Sequence, residues 1–152
     1  MLQISDQAPD FKLMSDEGKE FSLSSCKGEK VVLYFYPKDD TSGCTAQACD
    51  VRDQHPEFSK LNTIILGISR DPLKSHGKFR EKYTLNFPLL SDESGEVCQA
   101  YRVWVEKSMY GKKYFGIERS TFIIDEKGII SHIWRKVKVP GHVTDVLGML
   151  TK

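Results

Sequence analysis

The sequence has no long hydrophobic run and no excess of charge of one sign. Its longest wholly apolar stretch extends only from Val31 to Tyr36, whereas a helix that spans a membrane needs about 20 apolar residues. Lysine and arginine total 22, aspartate and glutamate total 21, and the net charge is +1. Since so balanced a charge would not attract nucleic acid or an acidic membrane, we expect neither as a partner. The amino terminus also lacks the basic and apolar segments of a secretory signal, which predicts an unexported, cytoplasmic protein.

Cysteine patterns typical of zinc sites and of thiol–disulfide exchange are also missing. The sequence has no CxxC pair, and its four histidines are too scattered to complete a cysteine–histidine zinc site. We therefore expect no metal. A chain of 152 residues can bury a sufficient core without disulfides, so a single domain over residues 1–152 is predicted. The cysteines, which we expect to be reactive or buried thiols, are Cys26, Cys44, Cys49 and Cys98.

Apolar and turn-forming segments alternate along the chain and predict an α/β architecture. Two short segments flank a turn-rich stretch at 15–18 and predict an N-terminal β-hairpin. Two continuous apolar runs later in the chain are typical of strands covered on both faces. Strands are expected at 11–13, 20–23, 30–36, 63–69, 87–90, 120–125 and 128–134, and helices at 44–52, 72–83, 95–101 and 142–150. This order predicts a central mixed β-sheet with helices on both faces.

Two prolines mark predicted helix boundaries. Pro56 has no backbone N–H and restricts the residue before it, so we expect the helix near Cys44 to break there and to resume as a short turn. Asp71 followed by Pro72 predicts an N-cap and a first helical residue. Residues 102–118 mix aromatic, basic and glycine residues without a clear period, and are predicted as strand and loop.

Cys44 lies where a reactive thiol is expected. It follows a buried strand and stands at the start of a predicted helix, where unpaired backbone N–H groups and the helix dipole favour a thiolate. Lowering the pKa of a thiol by about 2.5 units takes roughly 3.4 kcal/mol, and a partly buried helix end supplies at most about 2 kcal/mol. The helix dipole is therefore insufficient alone, and a nearby cation is needed.

Two segments together resemble a known family. The pattern Pro37-x-x-x-Thr41-x-x-Cys44, with the distant segment GIERSTFIID at 116–125, resembles the peroxiredoxins, and more narrowly the bacterioferritin comigratory protein or peroxiredoxin Q group. The resemblance extends over about residues 7–150. It implies a thioredoxin-like fold and a cofactor-free peroxidase that reduces hydrogen peroxide and organic hydroperoxides. It also implies re-reduction by thioredoxin or a similar dithiol, and a monomer.

The resemblance assigns roles in the site. Arg119 is the implied cation, whose fork of donors would stabilise the Cys44 thiolate and bind the peroxide oxygens. Thr41 would accept a hydrogen bond from the peroxide and donate one towards the sulfur. Pro37 would shield the pocket, and Gly43 is expected to bind the substrate together with Thr41, Arg119 and Cys44. From the residues alone, other readings stay open.

Those other readings are structural. Thr41 could cap the helix, Pro37 could end a strand, and Arg119 could pair with Glu118 or Asp125. Arg102 stands where members of the group often have glycine, which puts the local packing in question.

Cys49 is the expected resolving thiol, which condenses with a Cys44 sulfenic acid to form a disulfide. On an ideal helix the two Cα atoms lie about 8.6 Å apart, whereas a disulfide needs less than about 7 Å. We therefore predict that oxidation unwinds the helix between about residues 42 and 52. The alternative is that Cys49 faces the core and an external thiol resolves Cys44. Cys26 and Cys98 are expected to be structural.

Two other functions fit the same fold. The chain could be a general thiol–disulfide oxidoreductase, although the missing CxxC pair argues against it. It could instead be a redox-sensing binding module whose contact surface is the aromatic segment 104–115. If that segment covers the active site and the core, it provides no such surface.

Overall fold

A mixed five-stranded sheet forms the centre of the computed structural model, which describes residues 1–151. The strands are β1 (Lys12–Met14), β2 (Glu20–Ser22), β3 (Lys30–Phe35), β4 (Thr63–Ser69), β5 (Leu89–Ser91), β6 (Trp104–Met109), β7 (Lys112–Ile117), β8 (Ser120–Ile124) and β9 (Ile130–Trp134). The helices are α1 (Ser42–Lys60), α2 (Leu73–Tyr83), α3 (Glu96–Ala100) and α4 (His142–Leu150).

Strand β3 occupies the middle of the central sheet. The strand order is β5-β4-β3-β8-β9, with β3 parallel to β4 and antiparallel to β8. Because both of its faces are covered, residues 31–35 are all buried, and the sequence there is a continuous apolar run. The predicted mixed sheet is confirmed, and so is the N-terminal hairpin, in which β1 pairs with β2.

Helices cover both faces of this sheet, as predicted. Val32 and Tyr34 of β3 pack in a core shared with α1, α2 and α4. Val31 and Leu33, which alternate with them, pack in a second core that includes residues of α3. None of the helices within residues 1–151 is both long and apolar enough to cross a membrane.

The predicted break at Pro56 is wrong. Helix α1 continues from Ser42 to Lys60 with the proline inside it. A proline within a helix leaves the carbonyl four residues earlier without its usual donor. That carbonyl, on Arg52, accepts a hydrogen bond from the side-chain amide of Asn86 at 3.2 Å. This tertiary hydrogen bond offsets part of the free energy that the proline costs the helix. Because Asn86 is 34 positions away from Arg52, the local sequence around Pro56 does not indicate the contact.

The predicted cap of α2 is wrong by one residue. The helix begins at Leu73, and Pro72 is its N-cap. The carboxylate of Asp71 instead accepts a hydrogen bond from the Ser69 hydroxyl at 2.7 Å and another from the Asp39 backbone N–H at 2.9 Å. Asp71 thereby connects the end of β4 to the segment that precedes α1.

The segment predicted as strand and loop forms a hairpin. Strands β6 and β7 pair antiparallel as a two-stranded sheet apart from the central one. Tyr110 at its turn is 98% exposed, and Phe115 within β7 is 59% exposed. Trp104 at the base of the hairpin packs partly against the core. The aromatic segment therefore covers the core only at the base of the hairpin.

Arg102 adopts a backbone conformation that favours glycine, with φ of 60°. A residue with a Cβ in this left-handed region destabilises the folded state by roughly 1–2 kcal/mol relative to glycine. Glycine loses part of that advantage, because its greater conformational freedom also stabilises the unfolded chain. The Arg102 side chain is exposed, and its backbone carbonyl, which accepts from Arg135 at 3.3 Å, remains in any variant. The backbone conformation of residue 102, rather than the packing of its exposed side chain, therefore favours glycine at this position.

We therefore expect Arg102→Gly to raise the free energy of unfolding by about 0.5–1 kcal/mol, as measured by urea denaturation. Arg102→Ala is the matched control, because it removes the same side chain but keeps the Cβ, and it should give no such gain. A glycine variant less stable than the alanine variant would contradict this explanation.

Candidate active site

Cys44 lies in the first turn of α1, just beyond the end of β3. The segment 36–41 leaves the sheet, Thr41 is the N-cap with an extended backbone at φ −96° and ψ 158°, and the helix starts at Ser42. The Cys44 thiol is buried, with 2% of the residue exposed. Unpaired N–H groups of a first helical turn favour an anion, so this placement suits a thiolate.

Arg119 lies beside Cys44, although the two residues are 75 positions apart. Strand β8 pairs antiparallel with β3, and Ser120 is opposite Phe35, so the residue before β8 reaches the point where the chain leaves β3. The Nη2 of Arg119 donates to the Cys44 Sγ at 3.3 Å. The predicted combination of a thiol and a cation is therefore present.

Gln47, which was not among the predicted site residues, orients the arginine. Its Oε1 accepts a hydrogen bond from Nη1 of Arg119 at 2.7 Å, and the residue is only 1% exposed. Gln47 lies three residues after Cys44, on the same side of α1. A polar residue at that spacing from the cysteine was the available signal.

Gly43 leaves room for the arginine. A Cβ at residue 43 would lie 3.2 Å from Nη2 of Arg119, which is closer than ordinary van der Waals contact. A side chain at residue 43 would thus require the guanidinium to shift by a few tenths of an ångström. Gly43 therefore lies directly against the arginine that contacts Cys44.

Thr41 does not cap the helix through its side chain. Its hydroxyl donates to the Lys38 carbonyl at 2.9 Å, so its proton is not donated to the sulfur in this geometry. The oxygen still has lone pairs that can accept from a substrate. Of the two hydrogen bonds expected of Thr41, the one donated to the sulfur is therefore missing. The one accepted from the peroxide can still form.

Pro37 lines an open groove next to the site. The groove is also lined by Lys38, Arg70, Glu93, Trp104, Lys107, Tyr114, Phe115, Gly116 and Ile117. Burial lowers the pKa of Lys107, and the positive charge of Arg119 lowers it further. Lys107 is therefore a second cation near the site, and nothing in its local sequence indicated that.

The four cysteines are all free thiols. Cys44 and Cys49 are both part of the uninterrupted helix α1, and Cys49 is half-buried. Cys98 is buried and packs in the core, where burial and then Asp92 raise the pKa of its thiol. Cys26 is also buried, and burial raises the pKa of its thiol. These two environments favour a structural role for Cys26 and Cys98.

Within residues 1–151, one group of metal-ligating side chains comes together, and it consists of Asp39, Asp71 and His76 with ligand atoms within 4.8 Å of one another. Those atoms already form hydrogen bonds to one another and to neighbouring groups. Asp71 Oδ2 accepts from the Asp39 N–H and from Ser69, and His76 Nδ1 lies 2.7 Å from Asp39 Oδ2. The arrangement is that of a polar anchor.

Comparisons with known proteins agree over nearly the whole chain. The model of the AhpC/TSA family matches residues 4–133. A putative peroxiredoxin Bcp of Coxiella burnetii is 54% identical over 149 residues, covering 98% of this chain and 99% of that protein. Peroxiredoxin Bcp of Bacillus subtilis is 49% identical, covering 98% and 95%. A solved structure of the Xanthomonas campestris bacterioferritin comigratory protein, described for alkyl peroxide reduction activity, has a TM-score of 0.91 and 43% identity, covering 99% and 96%.

Proposed function

The chain belongs to the AhpC/TSA family and is a thiol peroxidase of the two-cysteine type, and from that premise we propose that Cys44 is its peroxide-attacking thiol and Cys49 its resolving thiol. The family membership and the solved relative also confirm the thioredoxin-like fold. The observation that supports the assignment of Cys44 is its contact with Arg119 at 3.3 Å. It joins the cysteine at the helix start to a fixed positive charge.

In the first step, the Cys44 thiolate attacks one oxygen of the hydroperoxide. An S–O bond forms, the O–O bond breaks, the sulfur is oxidised to a sulfenic acid, and the leaving oxygen takes up a proton to give water or an alcohol. Charge moves from the sulfur to the leaving oxygen during this step. The guanidinium of Arg119, held by Gln47, contacts the sulfur and would also stabilise the charge that develops on the leaving oxygen. Thr41 and Gly43 would bind the substrate, and Pro37 would shield it.

In the second step, the Cys49 sulfur attacks the sulfur of the sulfenic acid. A disulfide forms and water leaves. Because both residues are in α1 and an ideal helix holds their Cα atoms about 8.6 Å apart, the start of the helix must unwind. A dithiol reductant then reduces the disulfide by exchange and is itself oxidised.

Thioredoxin or a similar dithiol protein is the proposed reductant, and hydrogen peroxide and organic hydroperoxides are the proposed substrates. The solved relative from Xanthomonas is described for alkyl peroxide reduction, which supports the organic class. We further propose one domain that acts as a monomer in the cytoplasm, where free thiols such as these stay reduced.

The coupled assay with thioredoxin, thioredoxin reductase and NADPH tests this function. Peroxide should cause steady NADPH oxidation with the wild-type protein, and Cys44→Ser should abolish it because a hydroxyl does not replace the thiolate nucleophile. Cys26→Ser is the matched control, since Cys26 is buried at another place in the core, and it should remain active. Full activity of Cys44→Ser would disprove the assignment.

An insulin-reduction assay on the same protein tests the alternative function, that of a general thiol–disulfide oxidoreductase. Such a protein would reduce insulin disulfides with the dithiol system in the absence of peroxide. We expect no acceleration of insulin reduction, because the two proposed thiols are five residues apart on one helix and form no CxxC pair.

A further inference from the structure

The segment that precedes the active-site helix is anchored by a buried carboxylate. Asp39 stands between Pro37 and Thr41, and only 4% of its side chain is exposed. One carboxylate oxygen accepts from the Tyr36 hydroxyl at 2.6 Å. The other accepts from the Ser75 hydroxyl at 2.8 Å and lies 2.7 Å from His76 Nδ1. Both oxygens are therefore occupied, and Ser75 and His76 belong to α2.

His76 lies between this carboxylate and the backbone carbonyl of Leu90. Its Nε2 lies 3.0 Å from the Leu90 carbonyl, which only accepts, so Nε2 holds one proton. Nδ1 lies 2.7 Å from Oδ2 of Asp39, and a carboxylate at that distance favours a proton on the ring nitrogen. Burial lowers the pKa of His76, but the hydrogen bond and charge of Asp39, followed by the Leu90 carbonyl and Asp71, together raise it above its ordinary value.

The same segment has a second connection. The backbone N–H of Asp39 donates to Asp71 at 2.9 Å, and Asp71 is fixed by the hydroxyl of Ser69 at the end of β4. Asp39 is thus held through its backbone and through its side chain. The chain on either side of it carries Pro37, which lines the groove, and Thr41, which is the N-cap of α1.

We propose that Asp39 and His76 are positioning residues that hold the segment 37–41 and the first turn of α1 in the geometry for peroxide attack, and that this anchor opposes the unwinding needed for the Cys44–Cys49 disulfide. The inference rests on the proposed roles of the two cysteines. The relative rates of sulfenic acid formation and disulfide formation would then depend on two side chains that contact neither sulfur. Loosening the anchor should slow the first step and speed the second.

The test follows the thiol, sulfenic acid and disulfide forms by quenched-flow mass spectrometry in a single turnover with hydrogen peroxide. Asp39→Ala removes both acceptor oxygens and should slow sulfenic acid formation by about ten- to a hundred-fold, while disulfide formation becomes faster than in wild type. Asp39→Asn keeps an acceptor for Tyr36, and its NH2 group can instead donate to the Ser75 hydroxyl and to Nδ1 of a neutral His76 protonated on Nε2, so both rates should return towards wild type. Ser75→Ala, which removes a single hydrogen bond, should shift both rates in the Asp39→Ala direction by less.

Asp92→Ala is the matched control, because Asp92 is also a buried carboxylate, and it accepts from the backbone of Val97 and Cys98 in α3. It should lower global stability without moving the two rates in opposite directions. Rates of Asp39→Ala and Ser75→Ala that stay unchanged, or that fall together as in the control, would overturn the inference. If wild type itself formed no sulfenic acid at Cys44, the proposed function would fail instead.

Discussion

Arg119→Met is expected to slow the reaction of Cys44 with hydrogen peroxide by about 10²–10³-fold, the loss typical when a donor to a developing anion is removed. Methionine keeps much of the length of the side chain but has neither charge nor donors. The arginine contacts the sulfur at 3.3 Å, and the helix end alone supplies at most about 2 kcal/mol of thiolate stabilisation. Stopped-flow measurement of the second-order rate constant at pH 7 gives the result.

Two further variants separate charge from geometry. Arg119→Lys keeps the charge but loses the planar fork that bonds to Cys44 and Gln47 together, so we expect an intermediate loss. Arg135→Lys is the matched control, because Arg135 lies over the Phe122 ring and bonds to the Arg102 carbonyl, and it should leave the rate unchanged. A rate for Arg119→Met within a few-fold of wild type would show that the guanidinium does not activate the thiol.

Cys49→Ser is expected to stop turnover with thioredoxin after one equivalent of peroxide per protein. Cys44 would still be oxidised at its wild-type rate, but a serine hydroxyl forms no disulfide, so the sulfenic acid would accumulate. Dimedone labelling with mass spectrometry detects that species, and the coupled NADPH assay measures the lost turnover.

The stoichiometry decides between Cys49 and an external resolving thiol. Cys98→Ser is the control, because Cys98 is buried in the second core and has a raised thiol pKa, and it should turn over normally. Unimpaired turnover of Cys49→Ser would exclude Cys49 as the resolving thiol.

The sequence was sufficient for most of the fold, because the apolar runs of buried strands and the turn residues of hairpins are local signals. Strand β3 was predicted from its apolar run, and the central mixed sheet followed from the order of elements. The errors at Pro56 and Asp71 have one physical cause. Each residue's role depends on a tertiary partner, Asn86 for the carbonyl left free by Pro56 and Asp39 for the carboxylate of Asp71.

The candidate site was predictable only in part. Cys44 was identifiable from its place at a helix start, whereas Arg119 could be chosen among 22 basic residues only by resemblance to a family. The antiparallel pairing of β8 with β3 brings Arg119 to the Cys44 sulfur. The register of that pairing joins distant segments and cannot be predicted from a local sequence pattern. Gln47 and His76 were missed for a related reason, since a buried polar side chain is recognised by its partners.

The central claim is that Cys44 attacks from a folded helix and bonds with Cys49 only after that helix unwinds. A crystal structure of the peroxide-oxidised protein tests it most directly. We expect a Cys44–Cys49 disulfide, loss of helical structure between about residues 42 and 52, and a sulfur of Cys44 withdrawn from Arg119. A Cys44–Cys49 disulfide within an intact α1, with Cys44 still against Arg119, would contradict it.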